Sequence, residues 1–317
     1  MTVQAAVMHD AKRPVYTSFA EPQANAGSVM VTVRAAALTG FDRAVARRAH
    51  YFKMPDGPFV VGKEGVAQHS DGKRVYFNVN APVAPFGSMA ERTLIDARFS
   101  FPVPDAVPDE IAAALGNPGL AAWLALSWRA ELRPGETVLI LGATGISGLI
   151  AVSAAKRLQA GRVIAAGRNR DALERGKRLG ADAIVELAGT TDLVGAYREA
   201  ARGNVDVVLD YICGAPAEAA LEVLGVDGRL VHIGTRAAPA MNVLGATARR
   251  VSANILGFAY YHAPIETQAL AYTELCRMAA AGEIALDIEM RPLSQIEAAW
   301  DTDEAGSRRR QVLVPTD

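Results

Sequence analysis

The chain has 317 residues, half of them hydrophobic, with 33 basic against 34 acidic side chains and a net charge of −1. That length accommodates two domains with separate cores. The charge balance excludes a basic field for nucleic acid and a polybasic membrane arm. Two cysteines, Cys213 and Cys276, exclude a disulfide framework and a four-thiolate zinc lobe.

In chain order, Met1 to His9 lacks a charged segment leading into an apolar core. No apolar run reaches the roughly 18 residues that a bilayer requires, so the expectation is a cytoplasmic protein without a membrane partner. Residues 1 to about 116 read as β. Gln4 to Met8, Val29 to Ala36, Gly65 to His69, Lys73 to Phe77 and Ser88 to Ile95 are short runs rich in β-branched residues, separated by turn formers such as Asp71-Gly72. Only Phe41 to Ala49 and Pro108 to Leu115 have helical character there.

The rhythm then changes. An Ala-rich segment, Leu120 to Glu131, and a Pro134-Gly135 turn lead into Thr137 to Leu141, a continuous apolar run. Such a run suits a strand buried on both faces of a parallel sheet. Strands at Arg162 to Ala166, Ala183 to Glu186, Val205 to Leu209 and Arg229 to Ile233 alternate with helices at Gly148 to Gln159, Arg170 to Leu179, Leu193 to Arg202 and Ala217 to Leu224. The alternation predicts βαβ units and a doubly wound sheet. Val251 to Phe258 predicts an apolar edge strand, Ile265 to Ala281 a helix, and the tail is strand-like. Arg308-Arg309-Arg310 reads as a solvated turn before the last strand.

Strand Thr137 to Leu141 runs into Gly142-Ala143-Thr144-Gly145-Ile146-Ser147-Gly148 and a helix. A pyrophosphate needs backbone N–H groups at a helix N-terminus with no side chain in the way. Gly145 allows that approach, and Gly148 lets helix and strand pack closely. The second strand ends in Gly167-Arg168-Asn169, with no acid before Asp171. An NAD site usually places a carboxylate there for the ribose 2′-hydroxyl. A guanidinium in its stead meets a 2′-phosphate bidentately, so Arg168 and Asn169 predict NADPH. Tyr211, Ile233 and Gly234 follow the later strands at the same carboxyl edge and complete the expected cofactor set. Cys213 reads as a buried inert thiol with no basic neighbour. His9, His69, His232 and His262 are scattered without metal-ligand spacing.

With these residues the chain resembles the medium-chain dehydrogenase/reductase superfamily, in its zinc-free quinone-oxidoreductase (zeta-crystallin-like) branch. The carriers are Pro58-Phe59-Val60-Val61-Gly62-Lys63-Glu64-Gly65, Gly87-Ser88-Met89-Ala90-Glu91, Leu132-Arg133-Pro134-Gly135-Glu136 and Val205-Asp206-Val207-Val208-Leu209-Asp210. The resemblance implies an α/β chain: a GroES-like β-rich catalytic domain from 1–116 and 264–317, and a doubly wound Rossmann domain over 117–263. It also implies a homodimer through the edge strand 251–258. Where zinc-dependent members hold their catalytic metal, this chain has Thr39, Lys63 and, near the third place, Asn117. No metal is therefore expected. Quinone reductases of the branch often carry Asn at the place of Thr39 and tyrosines near the places of Ala44 and His50. This chain departs at all three, with Tyr51 beside the last. Lys63 and Tyr51 are the catalytic candidates. The implied activity is hydride transfer from NADPH to a quinone or an α,β-unsaturated carbonyl. The alternatives are a zinc-independent reductase of simple carbonyls and a non-catalytic NADPH-binding regulatory protein.

Overall fold

The computed structural model describes residues 1–9, 13–48, 56–304 and 309–315. The chain divides into one compact unit of Met1–Asn117, Ile265–Ala280 and Leu286–Asp317, and a second of Pro118–Pro264 with Ala281–Ala285. Ser153 Oγ ties that last segment to the second unit, donating to the Glu283 carbonyl at 2.8 Å.

The first unit opens with β1 (Thr2–Met8), β2 (Val15–Ala20), β3 (Val29–Ala37), α1 (Gly40–Ala46), β4 (Phe59–Val60), β5 (Gly65–Gln68), β6 (Arg74–Phe77), β7 (Arg92–Ile95) and β8 (Ser100–Pro102). In β3, buried Val31, Val33 and Ala35 alternate with exposed Met30, Thr32 and Arg34, the period of a half-buried strand. Antiparallel pairing places β3 against both β5 and β7 in a seven-stranded sheet, beside a three-stranded sheet ordered β2-β1-β4. β2, β4 and β8 escape the sequence pattern. β2 has no fully buried residue, and the other two have only two and three residues.

α2 (Asp109–Leu124) joins two segments that the sequence separates, carrying Pro118 inside it and continuing as a π-helical turn over Ala125–Arg129. By length and composition Asp109–Arg129 could cross a membrane, but 72% of its most apolar window is buried inside the protein.

The second unit follows as β9 (Thr137–Leu141), α3 (Ile146–Arg157), β10 (Arg162–Gly167), α4 (Arg170–Arg178), β11 (Ala183–Glu186), α5 (Leu193–Ala201), β12 (Val205–Asp210), α6 (Ala215–Leu221), β13 (Leu224–His232), α7 (Gly245–Arg250) and β14 (Asn254–Gly257). Its six strands are parallel in the order β11-β10-β9-β12-β13-β14. The order reverses between β9 and β12. In such sheets ligands bind outside the carboxyl ends of the strands at that switch point. Leu139, Ile164, Val208 and Leu230 form the core of one face with Tyr197 and Leu221. The edge strand is shorter than 251–258: Val251 is buried in this core at the end of α7, and Ser252 turns the chain at φ 50.

α8 (Ile265–Ala280), β15 (Ile288–Pro292), α9 (Ile296–Glu304) and β16 (Arg310–Val314) return to the first unit. The tail is thus not strand throughout. Ile296, Ala299 and Trp300 bury a stripe at i, i+3 and i+4, which makes α9 an amphipathic helix. The whole is an α/β chain, a β-rich unit and a doubly wound unit.

Candidate cofactor and active site

The loop after β9 is shaped by what its glycines exclude. A Cβ on Gly148 would lie 2.4 Å from the Gly142 carbonyl oxygen and 2.6 Å from the Ala143 Cα, so only glycine lets α3 sit this close to the strand end. Gly142 turns the chain at φ 91, and a Cβ there would meet Tyr211 Cβ at 3.2 Å, in the loop after β12. The two loops therefore touch at the switch point. Gly145 differs. It is exposed, and a Cβ on it would find its nearest neighbour, the Gly142 oxygen, at 3.6 Å. Packing does not demand glycine there, whereas a ligand drawn close to the backbone would. Gly145 is also the N-cap of α3 and supplies no side-chain cap, so the first-turn N–H groups of Ile146 and Ser147 have no acceptor within the helix. Ala143 is buried, and the side chain of Thr144 lies against Gly167, where a Cβ would come within 2.4 Å of Thr144 Cγ2.

Beyond Gly167, Arg168 is exposed and makes no ion pair among the described residues. Asn169 caps α4, its Oδ1 accepting from Ala172 N at 2.9 Å, which leaves its amide N–H groups available. The neighbouring Arg170 is taken by Glu174 at 3.0 Å.

At the carboxyl end of β12, buried Asp210 organises the edge. Its Oδ1 accepts from Ile212 N at 3.0 Å and Cys213 N at 2.8 Å, and its Oδ2 meets His232 Nδ1 at 2.8 Å. Its backbone carbonyl accepts from Ile233 N at 2.8 Å and Gly234 N at 3.2 Å. Tyr211, Ile233 and Gly234 are each half-buried on this edge. The Tyr211 hydroxyl is sunk without a hydrogen-bond partner among the described residues, and desolvation raises its pKa. Asp210, Cys213 and His232 offer ligand atoms that all lie within 4.8 Å of one another. The thiol therefore does have a basic neighbour, and His232 is not isolated. Asp210 and His232 end adjacent parallel strands and are register partners, a proximity that their separation of 22 residues hides in the sequence.

In the first unit, Thr39 spends its side chain on α1. Its Oγ1 accepts from Asp42 N at 3.1 Å and donates to Asp42 Oδ2 at 2.5 Å. Lys63 N donates to Asp42 Oδ1 at 2.9 Å. Burial lowers the Lys63 ammonium pKa, and Asp42 partly offsets that. Burial also raises Asp42, against the hydrogen bonds from Thr39 and Lys63. Glu64 is fully buried. Its Oε2 accepts from the Tyr76 hydroxyl and from Asn117 N, and burial pushes its pKa up to about 8. Arg310 is not in a solvated turn: it opens β16, its Nη1 donates to the Leu38 carbonyl at 3.0 Å, and burial lowers its pKa against the opposing pull of nearby carboxyls, Asp303 and Asp42 among them. A tetrahedral zinc site needs deprotonated N, S or O ligands. A helix-capping threonine hydroxyl, an ammonium and an asparagine do not form one, so the places of the superfamily's catalytic zinc do not fit the metal. His50 and Tyr51 lie outside the described residues.

The family described as zinc-binding dehydrogenase matches residues 147–274. Bovine quinone oxidoreductase-like protein 2 is 28% identical over 264 residues, covering 80% of this chain and 72% of the relative. Bovine prostaglandin reductase-3 is 29% identical over 253 residues, covering 75% of this chain and 65% of the relative. The quinone oxidoreductase of Thermus thermophilus, solved also as its complex with NADPH, superposes with a TM-score of 0.79 at 27% identity, over 98% of this chain and 99% of that one. The chain is thus similar to zinc-binding dehydrogenases in its second unit and to quinone oxidoreductases of the medium-chain dehydrogenase/reductase superfamily along most of its length.

Proposed function

We propose that this oxidoreductase uses NADPH to pass a hydride to a quinone or to the β-carbon of an α,β-unsaturated carbonyl, without a metal at the Thr39, Lys63 and Asn117 places. The observation that carries the cofactor reading is Arg168, an exposed guanidinium without an ion pair among the described residues, standing where NAD sites keep a carboxylate. The NADPH complex of the Thermus enzyme supports it, and the quinone oxidoreductase-like and prostaglandin reductase relatives support the acceptor class.

NADPH when bound supplies the hydride from its nicotinamide C4. The first-turn N–H groups of Ile146 and Ser147 hold the pyrophosphate at the positive end of α3, with Gly145 leaving it room. Arg168 and the Asn169 amide hold the 2′-phosphate. Tyr211, Ile233 and Gly234 flank the cofactor along the carboxyl edge of β12 and β13. Lys63, with its lowered ammonium pKa, stabilises the charge that develops on the acceptor oxygen or yields a proton to it. A conjugated carbonyl is already activated, so little further acid–base machinery is needed.

NADPH oxidation with a panel of quinones, enones and simple aldehydes tests the acceptor. Turnover is expected with a quinone or enone, and turnover confined to aldehydes rejects the reading. Titration of both cofactors tests Arg168. A charge-assisted hydrogen bond contributes about 1.5–3 kcal/mol, so NADPH should bind at least about tenfold tighter than NADH. Arg168→Ala should narrow that gap by weakening NADPH. Equal affinities in the unaltered protein reject the assignment.

A further inference from the structure

We propose that Asp210, Cys213 and His232 form a binding site for a thiophilic divalent cation, Zn²⁺ in the first instance, at the carboxyl edge of the second unit. The site is separate from the Thr39, Lys63 and Asn117 places, and it does not depend on the cofactor reading.

Topology brings the three residues together. Asp210 ends β12, His232 ends the adjacent parallel β13, and the two are register partners. Cys213 follows three residues after Asp210, in a turn where Cys213 at φ 64 and Gly214 at φ 70 fold the chain back over the strand end. A left-handed cysteine is uncommon. Here the backbone is fixed by the Cys213 N–H donating to Asp210 Oδ1 at 2.8 Å.

The donor set suits the metal. Zinc takes thiolate sulfur at about 2.3 Å, imidazole nitrogen at about 2.0–2.1 Å and carboxylate oxygen at about 2.0–2.2 Å. Ligand atoms around one ion are thus ~3–4 Å apart, and those of Asp210, Cys213 and His232 all lie within 4.8 Å of one another. Asp210 Oδ2 and His232 Nδ1 are hydrogen-bonded at 2.8 Å, and they would have to part by about half an ångström to share one tetrahedral ion. A mixed sulfur, nitrogen and oxygen set selects zinc over the hard cations magnesium and calcium, which prefer all-oxygen shells. Three protein ligands leave a fourth position for water.

The outer shell is built as well. Ile212 N and Cys213 N hold Asp210 Oδ1, so Oδ2 is the oxygen turned to the imidazole. Second-shell hydrogen bonds of this kind orient a ligand for its metal. Asp210 and Cys213 are buried, while the His232 side chain is 30% exposed and gives the ion a way in. On coordination the Cys213 thiol loses its proton to solvent, and the imidazole proton moves from Nδ1 to Nε2. The ion would lock the ends of β12 and β13, on which Tyr211, Ile233 and Gly234 are mounted. The competing description is an Asp–His hydrogen bond beside an inert thiol.

Full-length protein, reduced and stripped with a chelator, is titrated with Co²⁺ without NADPH and followed by absorbance. The expected result is one saturable site with tetrahedral d–d bands and a thiolate-to-cobalt charge-transfer band, all displaced by Zn²⁺. Cys213→Ser should abolish the charge-transfer band, and His232→Asn should weaken affinity by about tenfold or more. Cys276→Ser should change nothing, because Cys276 lies in the other unit, buried beside Tyr272 with its thiol pushed up to about 11. A protein with no saturable spectrum overturns the proposal, as does a charge-transfer band that survives Cys213→Ser. Should Cys213→Ser fail to fold, His232→Asn decides: unchanged cobalt affinity overturns the site.

Discussion

A carboxyl group that loses its hydration must recover it in hydrogen bonds or keep its proton. Glu64 recovers two, both on Oε2, and its buried Oε1 has no hydrogen-bond partner among the described residues. Its pKa of about 8 leaves it largely protonated at neutral pH, against about 4.3 for an unperturbed glutamate. Between those two values the folded chain holds a proton that the unfolded chain has released. Folding stability must therefore fall as pH rises through the window. Glu64→Gln keeps the shape and removes the titration, so its melting temperature should decline less between about pH 5 and about pH 8 than that of the unaltered protein. Parallel declines in thermal melts would remove Glu64 as the cause. The same scale shows which site residues sequence discloses. Arg168 is legible because its context is local: one strand end, one missing carboxylate. Asp210 and His232 are not, since they lie 22 residues apart and meet only when β12 and β13 pair. Arg310 misleads for a related reason. Three consecutive arginines suggest solvent, yet strand periodicity carries one of them inward.

Elements were legible where a period ran uninterrupted. The parallel strands and helices of the second unit follow from alternating apolar runs and helical stretches, with ends displaced by a few residues. Legibility failed where one cue masked another. Gly116, Pro118 and Gly119 imply a break, but α2 runs through them with Pro118 inside it. In the tail, the stripe of Ile296, Ala299 and Trp300 is hidden between two strand-like runs. The turn from β9 into α3 permits a paired test. Gly148→Ala drives a methyl into backbone at 2.4 Å and 2.6 Å, which no side-chain rotation relieves. Overpacking of this kind costs about 1–3 kcal/mol, so that variant should melt lower as well as bind NADPH poorly. Gly145→Ala meets nothing closer than 3.6 Å and should melt normally while losing cofactor affinity alone. Thermal unfolding and NADPH titration of both variants give the comparison. Unchanged NADPH affinity in Gly145→Ala would refute the role of Gly145 at the pyrophosphate.

For the whole molecule, the six-stranded sheet ends in β14, which among the described residues has a paired neighbour on one side only. An edge strand presents a row of unpaired backbone groups and invites another strand unless charge, a bulge or a covering element blunts it. β14 itself carries no charged residue, and Ile255 at its centre is 38% exposed. A net charge of −1 opposes the approach of a second copy only weakly. Two copies pairing β14 across a two-fold axis would extend the sheet continuously and bury Ile255 against its symmetry mate. A contact of this kind is self-complementary and closes at two subunits. Light scattering at micromolar concentration should therefore give a mass about twice the 33.5 kDa of one chain. Ile255→Lys adds a charge at the edge without disturbing a buried side chain, and it should shift the mass to that of a monomer with the melting curve of each unit retained. A monomeric mass for the unaltered protein rejects the assembly. A dimer that persists in Ile255→Lys moves the interface away from β14.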